Sequence, residues 1–153
     1  MSLNLEITKG TWGERPPVTV PHPGFYQEVG EERFRELVYM HYELIRVSDI
    51  AYLFPINDED DFEQAKINAA DYLIQISGGP DYFNQHRGEP QIVGRHSPFR
   101  IDEPARHKWL ELYTIILPGL VEEGITEEYV QSFWDYLTIH SMWMVNTPSR
   151  QNS

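Results

Sequence analysis

The chain has 153 residues, 41% of them hydrophobic, with four tryptophans, nine tyrosines and seven phenylalanines, enough for one domain around a sizeable aromatic core. A formal net charge of −12 argues against nucleic acid and anionic membrane surfaces as partners. The absence of cysteine excludes disulfides, thiolate metal sites and cysteine nucleophiles, and it is compatible with a reducing, cytoplasmic location. No run reaches the roughly 18 apolar residues of a membrane span, and the first twenty residues lack a basic start followed by an apolar block. A soluble, unprocessed protein is the expectation.

Residues 1–24 carry four prolines and three glycines without a period and read as an extended arm over the body. From Glu31 to Val47, Phe34, Leu37, Val38, His41, Tyr42 and Ile45 recur at steps of three and four, predicting an amphipathic helix. "LFPINDEDD" interrupts it. Phe62, Ala65, Ala69, Tyr72, Leu73 and Ile76 then share a second helical face, which Gly78-Gly79-Pro80 terminates. The next segment, "DYFNQHRGEPQIVGRHSPF", is too polar and too rich in breakers for a long helix, with at most a short turn at Gln91–Arg95. A third helix is expected from Asp102 to Leu117, with Trp109, Tyr113, Ile116 and Leu117 on one face. Thr126-Glu127-Glu128 opens a fourth, whose inner stripe is Val130, Phe133, Trp134, Leu137, Ser141 and Met144. No segment alternates convincingly as a strand. The domain plan is an arm (1–24), a helical domain (25–148) and a short tail (149–153).

Several residues invite two readings. Ala65 and Ala69 on the second helix permit either close helix packing or the close approach of another group. Tyr42 and Trp109 each join an apolar body to a polar tip, so they are either satisfied core aromatics or donors aimed into a shared cavity. His41 sits in the middle of an apolar stripe, as a hydrogen-bonded core histidine would. Glu103, His107 and Glu111 have the spacing of a metal face, but His107 lies about 200° around the helix from Trp109. A solvated charge cluster is therefore expected there. Hydrolase triads, Walker loops, dinucleotide-binding glycines and HExxH pairs are all absent.

From about Tyr26 to Pro148 an ordered series of short motifs resembles the group II (O-type) truncated haemoglobins: "YQEVGEE", "LFP", "GGP", "RGEP", "RHSPF", "KWL" and "MVNTP". The resemblance implies an all-α two-over-two helical sandwich, a shortened globin in which a loop replaces most of one helix. It implies that His96 is the proximal ligand of haem b (iron protoporphyrin IX), that Arg95 meets a haem propionate, and that Phe99 covers a haem edge. Phe54, Ala69, Ile92, Tyr42 and Trp109 would complete the haem environment, the last two as hydrogen-bond donors to the ligand. The chain departs from the family at Phe83 (with Tyr82 before it), at Glu89 where histidine is usual, and at His41 where phenylalanine usually precedes the distal tyrosine. It also departs at Ala69, where leucine or glutamine is usual.

The implied function is reversible binding or transport of oxygen, with carbon monoxide and nitric oxide as further small ligands. An alternative is a haem redox enzyme acting on nitric oxide or peroxide, and the resemblance admits a reductase as partner. A third reading is a haem-free helical interaction module. Nothing in the chain specifies an oligomeric state.

Overall fold

The first helix, α1 (Pro23–Arg46), starts where His22 Nδ1 accepts the Gly24 amide at 2.9 Å and Pro23 supplies a preset φ. It therefore starts eight residues before the sequence pattern suggests. The reason is Gly30, whose φ of 78° and ψ of 162° break the helical path and leave two limbs, the second beginning at the expected Glu31. Phe34, Leu37, Val38, His41 and Ile45 form the buried stripe as anticipated, whereas Tyr42, expected within it, is only half-buried. The chain then turns at Ala51–Leu53 into α2 (Glu59–Ile76), capped by Asp58, whose carboxylate accepts the Asp61 amide at 3.0 Å. At the far end Gly78 takes a φ of 94°, and the Gly79 amide returns to the Ile74 carbonyl at 2.9 Å.

Two short helices, α3 (Tyr82–Arg87) and α4 (Ile92–His96), fill the polar segment between the long ones. Only the second was foreshadowed, as a turn. α5 (Glu103–Glu122) begins at Asp102, which accepts the Ala105 amide at 2.9 Å. It runs five residues beyond the expected Leu117, straight through Pro118 and Gly119. Leu117 and Leu120 on either side of the proline are fully buried, so core packing outweighs the lost hydrogen bond. α6 (Glu127–His140) continues into a 3-10 turn, Ser141–Met144, and buries all six residues of its expected stripe.

Residues 3–148 are described in this computed structural model; the tail at 149–153 lies outside them. Among the described residues every regular element is helical. α1 packs on α2 and crosses α5 and α6, which pack on each other, giving two layers of two long helices. Their shared core is aromatic. Phe25 stacks on Phe133 at 4.6 Å between ring centres, and Phe34 meets Phe133 edge-on at 5.7 Å. No helix of the described residues is long and apolar enough to cross a membrane.

The arm is ordered along its described length and makes an out-and-back excursion along α6. Asn4 and Gln131 exchange two hydrogen bonds at the outset (2.8 and 2.9 Å), and the His22 amide donates to Ser132 Oγ (2.9 Å) on return. Between these points Leu3, Leu5 and Ile7 pack on the core, and the Thr8 carbonyl accepts from Arg106 at 2.9 Å. Arg106 is almost fully buried. Its guanidinium also reaches Glu103 (2.6 Å), the Thr138 carbonyl (2.6 Å) and Ser141 Oγ (2.9 Å). Glu103 is consequently buried, correcting the expectation of a solvated Glu103-His107-Glu111 face. Only His107 and Glu111 stay at the surface, 3.9 Å apart.

Candidate functional site

The sequence-derived site residues fall into two groups. The first lies where α1, the Ala51–Leu53 turn and α5 meet. Tyr42 touches Phe54 edge-on with ring centres 5.4 Å apart, and Tyr42, Phe54 and Trp109 all pack on Ile45, Ile50, Ala105 and Leu112. His41 connects this group to the core. Its Nε2–H donates to the Trp109 carbonyl at 2.9 Å, while its ring stacks on Tyr113 at 3.7 Å and stands perpendicular to Trp109 at 5.1 Å. Burial holds the His41 imidazole down at about 3, against a donor bond to Trp109 that works the other way. It is therefore neutral, and with Nε2 as donor its Nδ1 is a buried acceptor without a partner.

Neither the Tyr42 hydroxyl nor the Trp109 indole N–H meets an acceptor among the described residues. Both residues are half-buried and neither polar tip is among the fully buried unpaired atoms, so the two donors are uncommitted and accessible. Burial raises the Tyr42 pKa far above its usual value, which keeps the hydroxyl protonated and able to donate.

The second group is α4. A positive φ of 42° at Gln91 starts this helix and aims it. Arg95 spends Nε on the Pro90 carbonyl (2.6 Å) and one Nη on the carbonyls of Arg87 (2.9 Å) and Glu89 (3.0 Å), with its plane over Phe83. In this structure Arg95 thus braces the loop ahead of α4. Its remaining Nη is the part left for an outside anion. Phe83, the family departure, is buried edge-on against Tyr72, while Tyr82 lies outside and bonds Glu31.

His96 ends α4. Its Nδ1 lies 2.8 Å from the Ile92 carbonyl, and because a carbonyl can only accept, Nδ1 carries the proton. In the neutral ring Nε2 is then a lone pair. This is the tautomer a metal-ligating histidine needs, with its orientation fixed from behind by the backbone. Downstream, Asn146 donates to the His96 and Phe99 carbonyls at 3.3 and 2.8 Å, pinning the turn. Phe99 itself is exposed.

A cavity of about 500 Å³ separates α2 from α4. Tyr72 and Ile76 form one wall, Ile92 and Val93 the opposite one, and Ala69 lies one turn from Tyr72 on the same partly exposed flank of α2. The fully buried face of α2 is a neighbouring one, built from Phe62, Ala70, Leu73 and Ile74. Sequence periodicity had merged the two faces. His140, Trp143 and, from the arm, Pro17 and Val18 complete the lining together with Pro90, and the cavity stays open to the surface. The first four of these were not foreseen, since nothing local distinguishes them from ordinary surface residues.

His140 ends a short polar chain. The Tyr72 and Tyr136 hydroxyls lie 2.6 Å apart, and Tyr136 lies 3.1 Å from His140 Nδ1. Burial, and after it the nearby His96, hold the His140 imidazole down at about 4.

A flat apolar group fits these features. The cavity walls are mainly hydrocarbon, and Ile92 is the one sequence-derived site residue among those that line it; His96 ends the same short helix, α4, with Nε2 free, while Tyr42 and Trp109 lie in the separate cluster of α1 and α5. No group of three or more histidine, aspartate or glutamate side chains among the described residues offers a competing metal site.

Comparison with known proteins agrees with this geometry. Residues 24–146 match the family model "Bacterial-like globin". Over 105 residues, 69% of this chain and 77% of the other, it is 31% identical to the group 2 truncated hemoglobin YjbI of Bacillus subtilis. It spans about half (53%) of two-on-two hemoglobin-3 of Arabidopsis thaliana, at 26% identity over 60% of its own length. Among solved structures, phosphate-bound Hell's gate globin IV superposes with a TM-score of 0.82 at 32% identity, covering 90% of this chain and 83% of that one. The truncated oxygen-avid haemoglobin from Bacillus subtilis gives 0.69 at 26% identity, covering 82% and 99%.

Proposed function

The chain belongs to the bacterial-like globin family, with relatives among the group II truncated haemoglobins, and from that premise we propose that residues 25–148 are a haem-binding globin domain that binds oxygen or another diatomic ligand reversibly. The observation that carries the reading is the His96 Nδ1 bond to Ile92, which leaves Nε2 as the ligating nitrogen. When bound, haem b supplies an iron with one coordination position for the protein and one for a small ligand.

The rest is the work of this chain. His96 holds the iron from α4, and its backbone hydrogen bond fixes the tautomer and raises the basicity of the ring. Ala69 and Ile92 flank the macrocycle from α2 and α4. Phe99, at the surface beside the end of α4, covers an edge, and the free Nη of Arg95 meets a propionate. Tyr42 and Trp109 present donors where a ligand carrying partial negative charge would sit, and Phe54 keeps Tyr42 in place. That arrangement favours tight, slowly released oxygen, in keeping with a neighbour described as oxygen-avid.

The test is an absorption spectrum of the purified chain, with hemin added, beside His96→Ala. A Soret band with ferrous oxygen and carbon monoxide adducts, altered or lost in the variant, is the expected result. A wild type that takes up no hemin would return His96 to a structural role and the chain to a helical interaction module. Peroxide turnover or nitric oxide consumption faster than oxygen release would move the reading to a redox enzyme.

A further inference from the structure

We propose that the returning limb of the N-terminal arm, residues 15–18, is the outer wall of the haem cavity and sets how long haem stays in the protein. This rests on the haem reading above.

The two limbs of the arm are built differently. The outgoing limb is anchored by core contacts of Leu3, Leu5 and Ile7 and by the buried Arg106 at Thr8. A tight turn then reverses the chain: the Glu14 amide donates to the Thr11 carbonyl at 3.0 Å, the Thr11 amide donates to Glu14 Oε1 at 2.8 Å, and Gly13 takes a φ of 93°. The returning limb converges on one residue. Trp143 Nε1–H donates to the Pro16 carbonyl at 2.9 Å, and the Arg15 guanidinium lies 5.6 Å from the centre of the Trp143 ring.

Trp143, Pro17 and Val18 all line the cavity. The Trp143 contact therefore places the limb against the same space that Tyr72 and Ile92 enclose from α2 and α4. Proline at 16 and 17 removes two amides that would otherwise need partners at this rim, and stiffens the limb. The surface it offers the cavity is hydrocarbon, suited to the apolar edge of a porphyrin and unsuited to its carboxylates. Both ends of the arm are fastened to α6, at Gln131 and Ser132, so residues 15–18 leave the cavity only if the Trp143 contacts break. Escape of a bound macrocycle through this side thus requires that local opening.

The experiment is hemin transfer from the full chain to excess apomyoglobin, followed optically. Pro17→Gly with Val18→Gly is expected to lose hemin about tenfold faster than wild type, equivalent to roughly 1.4 kcal/mol. Trp143→Phe, which keeps a ring but removes the donor to Pro16, is expected to lose it severalfold faster. Asn4→Ala, on the outgoing limb, should match wild type. Apoprotein melting temperatures are read separately, because Val18 also packs on the core and its loss lowers stability by itself; hemin loss is compared at a temperature where all four are folded, and Trp143→Phe decides the matter if the glycine variant does not fold. Equal loss rates in every variant would overturn the role of the arm and leave the haem reading intact. Failure of the wild type to take up hemin would overturn both.

Discussion

The side of the molecule around Phe25, Phe34, Phe133 and Trp134 and the side between α2 and α4 are made of the same residue types, used in opposite ways. On the first, aromatic rings are fully buried and packed edge-to-face or stacked. On the second, apolar side chains stay half-buried and Ala69 stands beside a cavity, and in the neighbouring cluster of α1 and α5 the polar tips of Tyr42 and Trp109 lack acceptors among the described residues. Packing that is complete stabilises the fold, and packing left incomplete in one place leaves room for a ligand. His41 belongs to both, since its ring stacks in the core while it hydrogen-bonds the backbone of Trp109.

Four measurements would break or sharpen this contrast. Phe133→Ala should be the most costly, at about 3–5 kcal/mol in urea unfolding, because three packed rings lose a partner and no relaxation refills the space. A cost below 1 kcal/mol would mean that the core is not the rigid side.

Next is pH. The folded-state pKa of His41, about 3, lies below its unfolded value of 6.5. The unfolded chain therefore binds the extra proton, and stability is lost as pH falls from about 6.5 toward 3, with a slope of up to about 1.4 kcal/mol per pH unit. His140, held at about 4, adds loss over the same range down to its own value. His41→Phe should flatten the stability profile between pH 7 and pH 5. An unchanged slope would remove His41 from the account.

Trp109→Phe removes an uncommitted donor, and oxygen should leave about tenfold faster for a lost bond of roughly 1–1.5 kcal/mol, measured by stopped-flow; an unchanged rate would exclude the indole from ligand binding. The smallest effect is the most discriminating. Ala69→Leu should leave the apoprotein as stable as wild type, or more so by up to about 1 kcal/mol, since it buries more hydrocarbon beside the cavity. Hemin uptake should be kept in the same sample, since leucine is usual at this position in the family the chain resembles, while ligand association slows as the space beside the iron fills. A less stable apoprotein with unchanged ligand association would place Ala69 in the core.

Most of the architecture could be read from periodicity. The four long helices, most of the buried stripes of α1, α5 and α6 and the Gly78-Gly79 stop follow from short-range rules, because the side chains that enforce them lie within a turn or two of one another, whereas on α2 only Phe62 and Leu73 of the expected face are buried. Those rules failed where a distant contact decided the outcome. Pro118 reads as a terminator, yet α5 continues because Leu117 and Leu120 are buried beneath α1 and α6. Glu103 reads as solvated, yet Arg106 and the arm enclose it.

The candidate site divides in the same manner. His96, Arg95, Tyr42 and Trp109 could be picked out because ordered motifs survive in the chain, but motif order carries no tautomer. Only the structure places the Ile92 carbonyl behind His96 and commits most of Arg95 to loop carbonyls. The sequence by itself determined an acidic, cysteine-free, four-helix chain with a histidine in a proline-ended loop, since composition and helical phase are local properties. Tertiary structure alone decided that an arm over a hundred residues from Trp143 in the chain lines the cavity, because walls drawn from α2, α4, α6 and Pro17-Val18 have no common period to reveal them.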